Sequence, residues 1–151
     1  MVKRASVIIG VLLFGSVGVV IGQSEAPTIE VHKSATCGCC SKWVAHLQAN
    51  GLKVRTINDE DLTEFKAKHR VPERLQSCHT AIVNGYVLEG HVPASDVRRL
   101  LKERPAIVGL AVPGMPVGSP GMEIPNVKVQ PFDVLAFDQK GQTRVFASHV
   151  R

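Results

Sequence analysis

The chain is predicted to adopt a mixed α/β fold, and three features of its sequence indicate this. Short segments with strand-like alternation of apolar and polar residues are interleaved with helix-like segments. The pair Asn84-Gly85 stands between two apolar runs, which is a strong local signal for a β-hairpin. Three cysteines, Cys37, Cys39 and Cys40, lie where the first helix is expected to begin. Together these features predict the element order β-α-β-α-β-β-α.

The first half of the chain supplies two strands and two helices. Alternation predicts strands over residues 28–32 and 52–57. Between them, a helix is predicted over residues 41–50, with Gly51 as its C-terminal stop. A second helix is expected to be capped by residue 58 or 59 and to run to about residue 69.

The second half of the chain supplies the hairpin, a third helix and an extension. The third helix is expected to start at Pro93, because proline is well suited to a first helical position. An apolar run and a loop rich in glycine and proline follow this helix. The predicted segments are hairpin strands 80–83 and 86–88, helix 93–103, loop 113–125 and a second hairpin with strands 132–138 and 143–149.

The predicted order is that of the thioredoxin fold, followed by a C-terminal loop and a β-hairpin extension. In that fold, the N-terminus of the first helix carries a redox Cys-x-x-Cys motif, and this is where Cys37 to Cys40 stand. Thioredoxin-type proteins place a cis-proline at the entry to the third strand, whereas this chain has Cys78-His79 there. We expect the missing proline to open the site, so that Cys78 lies near the cysteine cluster.

Length and charge limit the classes of function. A chain of 151 residues is sufficient for one domain with a substantial core, which we assign to residues 25–151. The net charge of +5 includes Lys3 and Arg4, and no basic run is interleaved with aromatic residues, so no nucleic-acid partner is expected. Residues 1–24 have the pattern of a signal peptide. An uncleaved membrane anchor is the alternative, and we expect a periplasmic location in either case.

The cysteine cluster predicts soft-metal or thiol chemistry. A helix N-terminus stabilises thiolates, so we expect low thiol pKa values there. Cys37 and Cys40 alone would suit a dithiol–disulfide couple, and a thiol–disulfide oxidoreductase is therefore the alternative function. Cys39 complicates such a couple, because it offers competing disulfides. Several thiolates that share a soft metal account better for all of the cysteines.

Methionines and histidines narrow the choice of metal. Met115 and Met122 lie in the glycine–proline loop, and thioethers favour Cu(I) over zinc. His79 and His91 flank the predicted hairpin strands near the same end, so either histidine is a candidate ligand. The predicted metal ligands are Cys37, Cys39, Cys40, Cys78, Met115, Met122, His79 and His91.

Several longer motifs resemble the CopG-type family of bacterial periplasmic copper-resistance proteins. The resemblance runs from about residue 28 to the end of the chain and implies a thioredoxin-like fold with copper bound through the cysteine motif. It also implies a place in copper-resistance or metal-handling modules. The motifs are Lys33-Ser34-x-x-Cys37-Gly-Cys-Cys40-x-x-Trp43, Ser77-Cys-His-Thr-Ala81, Gly85-Tyr86, Glu89-Gly-His-Val-Pro93 and the methionine-containing segment from Gly109 to Glu123.

The resulting hypothesis is an exported protein that holds one or more Cu(I) ions through clustered thiolates. Bridging thiolates could gather several ions, and cycling between Cu(I) and Cu(II) would give a redox role, so an enzymatic activity is left open. Copper ions are the expected ligands, and a copper efflux protein or copper chaperone is a candidate partner. Contact with a membrane is expected only if the N-terminal segment is not cleaved.

Overall fold

The structure, a computed structural model, describes residues 26–149. The predicted signal peptide or anchor over residues 1–24 lies outside this range. Among the described residues, no helix is long and apolar enough to cross a membrane.

Seven strands and three α-helices make up the described part of the chain, and they confirm the mixed α/β class. The first seven of these elements follow the predicted order. A short 3₁₀ turn, Glu73–Leu75, precedes the third strand. The elements are β1 (Thr28–Lys33), α1 (Gly38–Ala49), β2 (Lys53–Asn58), α2 (Thr63–Lys68), β3 (His79–Val83), β4 (Tyr86–Gly90), α3 (Ala94–Glu103), β5 (Gly109–Val112), β6 (Phe132–Phe137) and β7 (Thr143–His149).

All seven strands belong to one sheet with the order β2-β1-β3-β4-β5-β6-β7. β1 and β2 are parallel, as are β4 and β5, while the other neighbouring pairs are antiparallel. The sequence analysis identified the run 106–112 only as apolar, and its last part forms β5. This strand continues the sheet from β4 to the C-terminal hairpin, so the extension is part of the same sheet.

Apolar side chains cover both faces of the sheet. On β4, Val87 packs in one cluster and Leu88 in the other, as the strand alternation requires. The larger cluster includes Trp43 from α1 and Leu100 from α3, both fully buried. The smaller cluster contains Val71, Leu75, Val87, Ala111 and Phe137. α1 is thereby held against the sheet, which places its N-terminus beside the start of β3.

The turn chemistry predicted for the first hairpin is confirmed. Asn84 and Gly85 both have positive φ, at 47° and 81°, as a tight two-residue hairpin turn requires. Gly51 has φ +70° and directly follows the C-cap of α1, as predicted.

The predicted start of the second helix is wrong. α2 begins at Thr63, and neither residue 58 nor residue 59 caps it. β2 continues to Asn58 in register with β1, and the Asp59 backbone N–H donates to the Lys33 carbonyl at 2.9 Å. Asp61 accepts a hydrogen bond from the Thr63 N–H instead. Pairing with β1 therefore holds the two residues that the local sequence proposed as caps of the second helix.

Candidate metal centre

The cysteine motif occupies the first turn of α1. Cys37 is the N-cap residue, and its Sγ accepts a hydrogen bond from the Cys40 N–H at 3.4 Å. A turn that is closed by the Cys37 N–H on the Ser34 carbonyl leads into the helix. Sulfur thus takes the place of the oxygen that usually caps a helix, and the motif lies against unpaired backbone N–H groups.

Four cysteine sulfurs meet at this end of the molecule, as the sequence analysis predicted. The Sγ atoms of Cys37, Cys39, Cys40 and Cys78 all lie within 4.8 Å of one another. Cys37 and Cys40 are joined as a disulfide, whereas Cys39 and Cys78 are free thiols. Cys39 Sγ lies 3.5 Å from Cys37 Sγ and 3.8 Å from Cys78 Sγ. The Cys39 thiol therefore contacts both the disulfide and Cys78, which is distant in the sequence.

Two histidines extend the cluster on the side of Cys78. The Cys78 Sγ lies 3.3 Å from His79 Nδ1 and 3.3 Å from His91 Nε2. These three donor atoms also lie within 4.8 Å of one another. Cys78 thus belongs to both a four-sulfur group and a group of one sulfur and two nitrogens.

Hydrogen bonding determines which nitrogen of His91 carries a proton. His91 Nδ1 lies 2.8 Å from the Pro120 carbonyl, which can only accept, so Nδ1 donates. In the neutral ring, Nε2 then has a free lone pair, and this nitrogen faces Cys78 Sγ. Metal-binding histidines are typically oriented by this kind of bond to a backbone carbonyl.

His79 is fully buried and neutral. Burial lowers its pKa to about 3, with smaller contributions from the nearby His91 and Lys66. Its ring packs against the Trp43 ring, with centroids 4.3 Å apart, and its Nε2 is buried without a hydrogen-bond partner among the described residues. Burial also lowers the pKa of His91. Both imidazoles are therefore available as neutral donors near pH 7.

Cys78 lies outside the helix N-terminus for which low thiol pKa values were expected, and its own pKa is shifted upward. Burial, followed by the neighbouring Cys39, raises the pKa of the Cys78 thiol to about 11. Cys78 precedes β3 and does not belong to the first turn of α1, so the helix N-terminus does not offset its burial. At neutral pH this residue is a protonated thiol, and a metal that binds it must displace the proton.

The loop of residues 114–122, which carries Met115 and Met122 and is called the methionine loop below, packs against the start of α1. The backbone of Gly121 is so close that a Cβ at this position would lie 2.8 Å from the Cys39 carbonyl oxygen and from the Trp43 nitrogen. Met122 is half-buried and directly follows Gly121, whereas Met115 is 40% exposed. The loop therefore reaches the cysteine helix, and the ligand role of the two methionines stays a prediction.

A buried ion pair next to Cys78 was not anticipated from the sequence. Lys66 Nζ lies 2.5 Å from Glu89 Oε1, and the Glu89 side chain is fully buried. Burial raises the pKa of Glu89, and Lys66 partly opposes this shift. The sequence carried one sign of this pair. Glu89 directly follows Val87 and Leu88 in a hairpin strand, and an acidic residue in such a position needs a partner if it is buried.

The donor atoms fit a soft metal ion such as Cu(I). Thiolates and imidazoles are ligands that Cu(I) accepts, and carboxylates are absent from both groups of donors in the described part of the chain. The disulfide withholds two of the four sulfurs, so its reduction is needed before all of them can bind. The ring nitrogens His79 Nδ1 and His91 Nε2, each 3.3 Å from Cys78 Sγ, are consistent with a site built for metal.

Two solved structures are similar to this chain over most of its length. A solved structure named copper resistance protein CopG, form 2, is 44% identical, covers 83% of this chain and 100% of that chain, and has a TM-score of 0.78. Form 1 of the same protein is 45% identical over 83% of this chain and 98% of that chain, with a TM-score of 0.77.

A family model also matches part of the site. Residues 75–122 match a family described as a protein of unknown function, DUF411. This segment includes Cys78, His79 and His91 together with the methionine loop. No curated protein sequence matches the chain.

Proposed function

The chain belongs to the CopG family of copper resistance proteins, and we propose that it binds copper through Cys37, Cys39, Cys40 and Cys78 in copper resistance. The observation that carries this proposal is the convergence of four sulfurs within 4.8 Å, three from the start of α1 and one from the start of β3. Such a group provides soft ligands from two separate parts of the chain, which also argues against a purely local disulfide.

The proposed ion is Cu(I), and the proposed number is one or more. Reduction of the Cys37–Cys40 disulfide takes two electrons and two protons and yields two further thiols. His79 and His91 are the proposed nitrogen ligands, because each has a ring nitrogen 3.3 Å from Cys78 Sγ. Met115 and Met122 are proposed to cover the site with thioethers. Bound copper would supply Cu(I)/Cu(II) redox chemistry at this centre.

The proposed setting is the periplasm, with residues 1–24 as the export signal or anchor and residues 25–151 as one metal-binding domain. A copper efflux protein or copper chaperone is the proposed partner. We also propose that the domain is thioredoxin-like. The order of the first seven elements and the position of the cysteines at the start of α1 support this assignment.

The test is copper loading of the full-length chain under anaerobic, reducing conditions, followed by elemental analysis and thiol counting. We expect at least one tightly held Cu(I) per chain and protection of the thiols from reaction. Cys39→Ser should sharply lower the copper content. Ser41→Ala is the matched control, because it alters the same helical turn and leaves every sulfur in place. Equal copper content in Cys39→Ser and the unmodified protein would count against the proposal.

A thiol–disulfide oxidoreductase is the second candidate function. The Cys37–Cys40 disulfide at the start of α1 favours it, as this is the arrangement of a redox-active dithiol. This function predicts disulfide reduction by the metal-free protein, with loss of activity in Cys37→Ser and no loss in Cys39→Ser. Insulin reduction in the presence of a copper chelator measures this activity directly.

A further inference from the structure

The buried pair of Lys66 and Glu89 lies beside the proposed copper site without offering it a ligand. Glu89 comes from β4 and Lys66 from α2, and their side chains are 0% and 7% exposed. Removal of two charges from water is costly, and apolar residues of similar size often stabilise a core equally well. The pair therefore calls for an explanation beyond stability of the fold.

Glu89 makes hydrogen bonds on both sides of Cys78 and His79. Its Oε1 accepts from the Ser77 backbone N–H at 2.6 Å, and its Oε2 accepts from the Thr80 hydroxyl at 2.7 Å. Lys66 Nζ donates to the same hydroxyl at 2.8 Å. One carboxylate thus holds the residue before Cys78 and the residue after His79.

The segment that carries Cys78 has little other support from the sheet. β3 begins only at His79, and its register with β4 begins at Thr80, opposite Glu89. Cys78 therefore lies just before the strand ladder. The Ser77 N–H, which a longer ladder would pair with a backbone carbonyl, is paired with the Glu89 carboxylate instead.

We propose that Glu89, held by Lys66, is a positioning residue that keeps Cys78 within reach of Cys39 and His91. This inference rests on the proposed copper function, because the position of the Cys78 sulfur matters only if the sulfur is used. The relevant distances are 3.8 Å from Cys78 Sγ to Cys39 Sγ and 3.3 Å to His91 Nε2. Movement of the 77–80 segment would alter both contacts.

The first test compares Cu(I) affinity among variants of the full-length, reduced protein, by competition with a chromophoric chelator. Thr80→Val removes the hydroxyl that bonds to Glu89 while preserving side-chain shape, and Thr80→Ser keeps the hydroxyl. We expect Thr80→Val and Glu89→Gln to weaken Cu(I) binding about 10-fold or more, as outer-shell partners do. Thr80→Ser should bind like the unmodified protein.

The control for a general loss of stability is Asp96→Asn. It weakens a partly buried pair, Asp96 with His149 at 2.7 Å, whose members make no recorded contact with the cysteines. We expect Asp96→Asn to unfold more easily and yet keep its Cu(I) affinity. Equal Cu(I) affinities for Thr80→Val and Thr80→Ser would overturn the inference. If Glu89→Gln does not fold, the two Thr80 variants decide the question.

A second test needs no copper and so separates this inference from the proposed function. In a Cys37→Ser/Cys40→Ser background, diamide oxidises Cys39 and Cys78 to a disulfide and is itself reduced to the hydrazine by the two hydrogens. We expect Thr80→Val to slow this crosslink relative to Thr80→Ser. Absence of copper binding in the unmodified protein would overturn the proposed function, and equal crosslinking rates would overturn the positioning role of Glu89.

Discussion

Histidines occupy two very different environments in the described part of the chain. At the cysteine end, His79 and His91 face the Cys78 thiol, and neither is paired with a carboxylate. Where α3 meets β7, His149 lies 2.7 Å from the Asp96 carboxylate and stacks on Phe132 with ring centroids 4.9 Å apart. His79 and His91 each present a ring nitrogen to the Cys78 thiol, whereas the Nε2 of His149 is already hydrogen-bonded to a carboxylate.

Burial reinforces this difference. His79 and His91 are fully buried, and burial lowers their pKa values, so they remain neutral. The His149 side chain is 29% exposed, and its Nε2 lies against the Asp96 carboxylate. A histidine thus becomes a candidate metal ligand when no neighbouring carboxylate occupies its free nitrogen.

The largest expected difference in Cu(I) affinity is between a variant of Cys78 at the cysteine end and a variant of His149 beside α3. Cys78→Ser removes the sulfur shared by both donor groups and substitutes a hydroxyl, which is a poor ligand for Cu(I). We expect a loss of Cu(I) affinity of more than about 100-fold, beyond that of an outer-shell change. His149→Gln is the control and should bind copper normally. Chelator competition measures both variants, and similar affinities would remove the distinction between the regions.

Alkylation of Cys78 tests the burial of the cysteine end without copper. With its pKa raised from 9.0 to about 11, the folded protein has about 100-fold less thiolate at about pH 8 than the unfolded chain. Iodoacetamide should therefore modify Cys78 about 100-fold more slowly in native buffer than in urea. Because folding favours the neutral thiol, stability should fall as the pH rises from 9.0 to about 11. Mass spectrometry of the Cys78 peptide follows the reaction. Equal alkylation rates in native buffer and in urea would contradict the raised pKa of Cys78.

Removal of one histidine from each region compares them directly. His91→Ala should weaken Cu(I) binding about 10-fold to 100-fold, because it removes the nitrogen that faces Cys78. His149→Ala should leave Cu(I) affinity unchanged and lower the free energy of unfolding by about 1–3 kcal/mol, because it leaves the Asp96 carboxylate without its partner. Urea unfolding and chelator competition on both variants provide the comparison. A loss of copper affinity in His149→Ala would contradict the assignment.

Two glycines of the methionine loop test how closely it depends on α1. Gly121→Ala places a Cβ 2.8 Å from backbone atoms of Cys39 and Trp43 at φ +89°, so we expect a loss of about 2–4 kcal/mol in unfolding free energy. Gly114→Ala has open space at φ +75° and should cost only about 1–2 kcal/mol. Urea unfolding measures both. Equal costs would show that the loop does not rely on its contact with the cysteine helix.

Local patterns in the sequence were sufficient for most of the elements. Alternation predicted β1 and β2, Asn84-Gly85 between two apolar runs predicted the first hairpin, and the cysteines were placed correctly at the start of α1. These features depend on residues that are close together along the chain, so their signals are present before folding. The resemblance to copper-resistance proteins also rests on contiguous motifs, and the solved structures confirm the family.

Other features depended on contacts between distant residues. Pairing with β1 extended β2 to Asn58, and pairing with β4 turned an apolar run into β5. The Pro120 carbonyl determines the tautomer of His91. Lys66 from α2 forms a buried ion pair with Glu89 from β4. The sequence predicted which residues carry soft-metal chemistry. Only the tertiary structure decided how their donor atoms are oriented, because hydrogen bonds and burial by distant segments set that orientation.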